Sequence, residues 1–71
     1  MNRQPVKSSN LASVGYDPDS KILEVEFHNA TVFQYRNIPG PIFKSLMSAP
    51  SIGKYFNAKI RNGPYPWTQI K

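Results

Sequence analysis

Apolar and polar residues alternate most clearly over residues 21–27, which read Lys-Ile-Leu-Glu-Val-Glu-Phe. Because successive side chains of a strand point to opposite faces, the apolar residues of this segment share one face and Glu24 and Glu26 share the other. Residues 11–16 and 31–36 have related patterns and predict two further strands. The connections between the three segments are short, so the pattern predicts an antiparallel meander.

The loop between the second and third of these strands decides which residues pair. A two-residue loop at Asn29-Ala30 would place Phe33 on the glutamate face, whereas a three-residue loop pairs Val25 with Phe33. Only the longer loop keeps one face apolar, because a one-residue slip inverts every side chain. We therefore expect Ala30 in or near the left-handed region, at a cost of roughly 1–2 kcal/mol for a residue other than glycine. On the polar face we expect Arg36 to pair with a glutamate of the neighbouring strand.

The spacing of apolar residues becomes helical after the sheet. Pro41 suits the first turn of a helix, and Pro50 ends it. Ser51 is a good N-cap for a second helix. The apolar stripe of that helix has the spacing i, i+3, i+4, i+8 and consists of Ile52, Tyr55, Phe56 and Ile60. The run Asn62-Gly63-Pro64 is a stop signal.

These elements predict an α+β fold, in which a three-stranded antiparallel meander is followed by two short helices packed on one sheet face. We expect a flexible N-terminus at residues 1–8, a single domain at residues 9–65 and an aromatic C-terminal tail at residues 66–71. The chain has 71 residues and no cysteine. A core of this size must therefore hold without disulfides or cysteine-bound zinc. Large rings can supply much of its buried area, and we expect them at Phe33, Tyr35, Tyr55 and Phe56.

Charge is distributed unevenly along the chain. Residues 1–36 are neutral overall, and residues 37–71 carry the whole net charge of +5 with no carboxylate. The cations of this second half are Lys44, Lys54, Lys59, Arg61 and Lys71. The asymmetry favours an anionic partner, nucleic acid first. The alternative is a solvated basic face that only keeps a small protein soluble.

Basic and aromatic residues are interleaved near the C-terminus, a composition typical of single-stranded nucleic-acid binding, in which cations hold phosphates and bases stack on rings. The candidate binding residues are Lys54, Asn57, Lys59, Arg61, Tyr65 and Trp67. The sequence leaves two alternatives open for Tyr65 and Trp67, which either fold back over the sheet or remain exposed to a ligand.

Few residues are available for catalysis. His28 is the only histidine and falls in the predicted hairpin loop, with no partner to orient it as a base. The carboxylates are explained as turn formers or as a polar strand face. We expect a non-enzyme with no metal site and no cofactor.

The first residues contain no apolar leader segment, and no run approaches the ~20 apolar residues that span a bilayer. Absence of cysteine suits a reducing compartment. We therefore expect a cytoplasmic protein without membrane association.

The order and spacing of several short motifs resemble the KTSC domain, a module named for its association with the C-terminus of some lysyl-tRNA synthetases and also found alone in bacterial proteins. The matching residues are Ser8-Ser9-Asn10-Leu11, residues 12–17 and 23–27, Phe33-Gln34-Tyr35, Ile38-Pro39, Phe43, Leu46, Ala49-Pro50-Ser51, residues 53–57, Ile60 and Arg61. The family usually has Tyr-x-Tyr in its central motif, where this chain has Phe33, and that replacement argues against a catalytic phenol. The family hairpin commonly reads Asn-Gly, where this chain has Asn29-Ala30.

The resemblance implies a stand-alone bacterial or phage-type member, and its synthetase neighbour suggests RNA binding. Our leading hypothesis is thus a small non-catalytic module that binds RNA or another single-stranded nucleic acid. The alternative is a protein–protein interaction module or a homodimer, because a short meander leaves two sheet edges open to pairing.

Overall fold

Five antiparallel strands form one sheet in the computed structural model, which describes residues 1–71, and they follow one another across the sheet in sequence order. The strands are β1 Gln4–Pro5, β2 Leu11–Asp17, β3 Ile22–Phe27, β4 Val32–Tyr35 and β5 Trp67–Gln69. Between β4 and β5 lie α1 Gly40–Ser48, α2 Ile52–Tyr55 and a π-helical segment, Phe56–Arg61, that continues α2. The α+β class and the antiparallel meander are therefore confirmed.

The expected hairpin register is also confirmed. Val25 lies opposite Phe33, and Leu23 lies opposite Tyr35. The backbone N–H of Phe27 donates to the Thr31 carbonyl at 2.9 Å, which closes a three-residue loop. Ala30 has a φ of 69°, so the loop does place a residue with a β-carbon in the left-handed region.

The number of strands differs from the prediction, because the sheet has five strands and not three. The segment expected as a flexible N-terminus contributes β1, and the expected aromatic tail contributes β5. Two- and three-residue strands are too short to show an alternating pattern of their own. Their pairing comes from the neighbouring strands, β2 and β4, which offer unpaired edges.

A bulge in β2 places more apolar surface on the helix-bearing face than simple alternation would. Leu11 lies opposite Phe27, but Ser13 lies opposite Glu26, so one extra residue is inserted between them. As a result Leu11 and Val14 both face the core, and both are buried.

Local signals place the helix ends as expected. Pro39 is the N-cap of α1, and the helix ends before Pro50 at its C-cap, Ala49. The Ser51 hydroxyl accepts a hydrogen bond from the backbone N–H of Lys54 and caps α2. The second helix then widens into the π-helical segment, which the apolar spacing does not reveal.

The core lies between the sheet and the helices and has nine buried members: Leu11, Val14, Leu23, Val25, Tyr35, Ile38, Leu46, Phe56 and Ile60. The Phe56 ring is at its centre, with ring centroids 5.4 Å from Tyr35 and 5.7 Å from Phe27. Of the rings expected in the core, Tyr35 and Phe56 are buried, whereas Phe33 and Tyr55 are half-buried and pack against it.

The opposite face of the sheet carries a polar network around Glu24, which is only 5% exposed. Arg3 on the N-terminal segment forms an ion pair with this carboxylate, and the Gln34 amide donates to it at 2.8 Å. Burial raises the pKa of Glu24, but these hydrogen bonds and the Arg3 charge outweigh burial, so the pKa lies below its usual value. The expected pairing of Arg36 with a glutamate is wrong, because Arg36 donates instead to the Thr68 hydroxyl at 2.9 Å on β5.

Candidate nucleic-acid interface

The helix-bearing side of the sheet has a groove that the helices leave open. Its volume is about 780 Å³, and it lies between the β3–β4 hairpin, β5 and the end of the π-helical segment. We call it the aromatic groove. Its lining residues are Asn10, Phe27, His28, Asn29, Thr31, Phe33, Tyr35, Arg61, Asn62, Trp67 and Gln69.

Rings from three adjacent strands form one wall of the groove. The Phe33 and Trp67 ring centroids are 5.4 Å apart at an interplanar angle of 52°, and Phe27 meets Phe33 edge-on at 5.6 Å. Trp67 is positioned by β5, where it lies opposite Tyr35 of β4. It is 57% exposed although it contacts Phe33, so part of a large ring remains available to a ligand.

The other side chains of the lining are mostly amides and small polar groups. Asn62 is held by a hydrogen bond of 2.8 Å from its Nδ2 to the Asn57 carbonyl. Asn29 accepts hydrogen bonds from both the backbone and the hydroxyl of Thr31 through its Oδ1. The His28 Nε2 lies 2.7 Å from the Ser8 carbonyl, and because a carbonyl only accepts, this nitrogen carries the proton.

Arg61 is the one permanently charged residue of the lining, and no carboxylate accompanies it. The nearby phenol of Tyr35 is 3% exposed. Burial raises the pKa of Tyr35, and the Arg61 charge offsets the rise only in part. Tyr35 therefore stays neutral near physiological pH, and the groove is positively charged.

One end of the groove depends on a close contact between α2 and the loop before β2. A β-carbon on Gly53 would lie 3.0 Å from the Ser8 hydroxyl oxygen and 3.5 Å from the Asn10 amide nitrogen. The same hydroxyl accepts the backbone N–H groups of Asn10 and Leu11, each at 3.2 Å. Glycine at position 53 thus allows a loop that presents Asn10 and holds His28.

The structure brings together two of the six candidate binding residues, because Arg61 and Trp67 both line the aromatic groove. Lys54 and Lys59 are exposed elsewhere on the second helix. Of the two tail rings, Tyr65 folds back and is half-buried against the core, whereas Trp67 remains exposed. Asn57 does not line the groove; its Oδ1 is buried without a hydrogen-bond partner.

Sequence reasoning missed the polar residues of the groove. Asn10, Asn29 and Asn62 looked like turn formers or caps, and Gln69 carried no signal at all. They come from separate segments that only the folded sheet brings together. The number of asparagines in loops could have suggested a polar site. The sequence alone does not show that these asparagines come together in one groove.

The structure contains no cluster of three or more His, Cys, Asp or Glu side chains that could hold a metal ion. None of its helices has the length and apolar composition needed to cross a bilayer.

Comparison with known proteins identifies the class of this domain. The KTSC domain profile matches residues 7–65, so the chain belongs to the KTSC domain family. The crystal structure of a KTSC domain protein from Yersinia pestis superimposes with a TM-score of 0.92 at 38% identity, covering 99% of this chain and 97% of that one.

Similar sequences include stand-alone proteins and parts of larger ones. An uncharacterized protein from Stutzerimonas stutzeri is 37% identical over 70 residues, covering 99% of both chains. A lysine–tRNA ligase from Nostoc sp. is 28% identical over 64 residues, a match that covers 90% of this chain and 11% of the ligase.

Proposed function

We propose that this chain is a non-catalytic module that binds RNA or another single-stranded nucleic acid through its C-terminal half. The observation that carries the proposal is the set of four cations that follow α1, Lys54, Lys59, Arg61 and Lys71, which have no carboxylate among them in sequence. None of the four has a carboxylate partner in space, because the one ion pair of the fold joins Arg3 to Glu24. Unpaired cations beside an exposed ring suit a phosphate backbone with unstacked bases.

Two further observations support a binding role over catalysis. The only histidine donates a hydrogen bond from its Nε2–H to the Ser8 carbonyl and has no carboxylate to orient it as a base. The raised pKa of Tyr35 disfavours a phenolate nucleophile. The likeness to a segment of a lysine–tRNA ligase, an enzyme that handles tRNA, adds support for RNA as the polymer. We also propose a cytoplasmic location, which suits a chain without cysteine.

The test measures binding of a labelled, mixed-sequence single-stranded RNA by fluorescence anisotropy as a function of salt. We expect affinity to fall steeply with salt, because each phosphate contact adds about −0.7 to the slope of log K against log[salt]. In the double variant Lys54→Glu, Arg61→Glu, affinity at low salt should fall by at least about tenfold and the slope should shrink by about 1.4.

The matched control is the double variant Lys21→Glu, Lys44→Glu, which lowers the net charge equally. Lys21 lies in the β2–β3 turn, at the sheet end opposite the β3–β4 hairpin, and Lys44 lies on α1. Both are exposed. Absence of RNA binding at low salt would refute the proposal, and so would equal losses in the two double variants.

A second candidate function is protein interaction, including self-association, and β5 favours it. This strand is the outer edge of the sheet and has no neighbour beyond it. Two of the three exposed large hydrophobic residues, Trp67 and Ile70, lie on or beside it. Light scattering after size exclusion at high protein concentration tests whether the chain forms a homodimer. A measured mass equal to that of the monomer would exclude self-association.

A further inference from the structure

We propose that the aromatic groove holds one unpaired base of a single-stranded RNA, stacked on Trp67, with the adjoining phosphate on Arg61. The inference rests on the proposed function and deepens it, because it assigns one subsite to the base and one residue to the phosphate. The sequence singles out only Arg61 and Trp67 of this lining as binding residues, since Asn10, Asn29 and Asn62 look like turn formers or caps.

The first argument is the shape of the apolar wall. The Trp67 ring contacts Phe33 at a centroid distance of 5.4 Å, and the residue is nevertheless 57% exposed. A ring that is positioned by a neighbour and still largely exposed can serve as a stacking platform for a base, and stacking tolerates any base because every base has a π-face. The groove volume of about 780 Å³ falls within the roughly 300–1,000 Å³ typical of pockets for small organic groups.

The second argument is the hydrogen-bonding capacity left over in the lining. The Asn62 Nδ2 is occupied by the Asn57 carbonyl, which leaves its Oδ1 free to accept. The Asn29 Oδ1 is occupied by Thr31, which leaves its Nδ2 free to donate. The Gln69 Nε2 donates to the Lys71 carbonyl, so its Oε1 also remains free. Residues with a free donor or a free acceptor therefore line one cavity, and the edge of a nucleobase offers both kinds of group.

The third argument is charge. A groove with one guanidinium and no carboxylate repels cations and attracts an anionic group beside a neutral ring. A nucleotide has both parts, a neutral base and a phosphate. A base inside a duplex is stacked on both faces and cannot reach Trp67, so the groove selects unpaired bases.

Intrinsic fluorescence tests this directly, because Trp67 is the only tryptophan of the chain. We expect a single-stranded oligoadenylate to quench Trp67 emission to saturation, with the same midpoint as its binding measured by anisotropy. An abasic oligomer of equal length should bind more weakly and leave the emission unchanged. Adenosine monophosphate should quench at higher concentrations, since it has the base but lacks the neighbouring phosphate contacts.

Substitutions on β5 provide the matched comparison. Trp67→Ala should weaken RNA binding by about 10- to 100-fold, the equivalent of one lost base stack, and Trp67→Phe should recover most of the loss. Ile70→Ala is the control, because Ile70 is 49% exposed directly after the same strand but does not line the groove. It should bind RNA as the parent chain does. Circular dichroism establishes that each variant is folded.

The outcomes separate the two proposals. RNA binding with unchanged Trp67 emission overturns the base subsite and leaves the proposed function standing, as does equal binding of the abasic oligomer. Equal losses in Trp67→Ala and Ile70→Ala also overturn it, because the effect would then belong to the sheet edge. If no RNA binds at low salt, the proposed function fails and the subsite fails with it.

Discussion

Gly15 on β2 is the position where a single methyl group should have the largest structural effect. A β-carbon at Gly15 would lie 2.6 Å from the Asn2 carbonyl oxygen and 3.1 Å from the Arg3 Cγ. The first distance is well inside van der Waals contact, and the atom it meets belongs to the backbone. Gly15→Ala should therefore push the N-terminal segment off the sheet and separate Arg3 from Glu24.

The magnitude follows from what the displacement leaves behind. Glu24 is 5% exposed and would lose its cationic partner, which costs about 1–3 kcal/mol for a buried polar group. Alanine in a strand gains about 0.5–1 kcal/mol over glycine and offsets part of this cost. The resulting net loss of up to about 2.5 kcal/mol lowers the Tm of a domain this size by up to roughly 20 °C.

Thermal unfolding followed by circular dichroism measures the effect, with Arg3→Ala and the double variant as controls. The two single substitutions remove the same ion pair, so the double variant should be little worse than either one. Strand propensity alone predicts the opposite sign for Gly15→Ala. A raised Tm, or fully additive losses in the double variant, would contradict a clash between the methyl group introduced at position 15 and the N-terminal segment.

Three further predictions concern pH and capping. Because the pKa of Glu24 is lowered in the folded state, its contribution to stability is present above its ordinary value of 4.5 and is lost as the pH falls through the folded-state pKa. The variant Glu24→Gln should therefore show a shallower decrease of Tm with acid. Parallel curves of Tm against pH for the parent chain and the variant would contradict this. Because burial raises the pKa of Tyr35, its contribution to stability is present below its ordinary value of 10.0 and is lost as the pH rises through the folded-state pKa. The variant Tyr35→Phe should therefore unfold less readily than the parent chain at alkaline pH. Circular dichroism measures this. Ser51→Ala should lower the free energy of unfolding, measured in urea, by about 1 kcal/mol because it removes the cap of α2, whereas Ser51→Asp should retain the cap. Equal urea midpoints for the parent chain and Ser51→Ala would argue against this role of Ser51.

The central meander was predictable because two independent constraints agree on its register. Alternation fixed which residues of β3 share a face, and only one loop length kept that face apolar across the hairpin. The left-handed Ala30 followed from the same argument. Helix ends were predictable for a related reason, since Pro41, Pro50 and Ser51 act on the backbone within one turn.

The remaining features depend on contacts between distant segments. Strands β1 and β5 form because other strands offer them an edge, and their own residues show no period. Arg36 was assigned to a glutamate because the two share the polar face of the sheet, but Arg3 on the N-terminal segment pairs with Glu24.

Two residues of the candidate site were predictable from the sequence. Arg61 and Trp67 were selected for charge and ring type, and the fold brings them to one groove. The second helix widens into a π-helix, which changes the side that its last residues face. The spacing of apolar residues in the sequence does not predict this widening.

The most direct test of the account is to map RNA contacts residue by residue on the isotopically labelled chain by NMR. On addition of a single-stranded RNA, we predict the largest shifts at the Trp67 indole, at Arg61 and at Asn62, with little change at Lys21 and Lys44. Shifts concentrated around Lys21 and Lys44, or no shifts at low salt, would contradict the claim that this KTSC domain binds RNA at its aromatic groove.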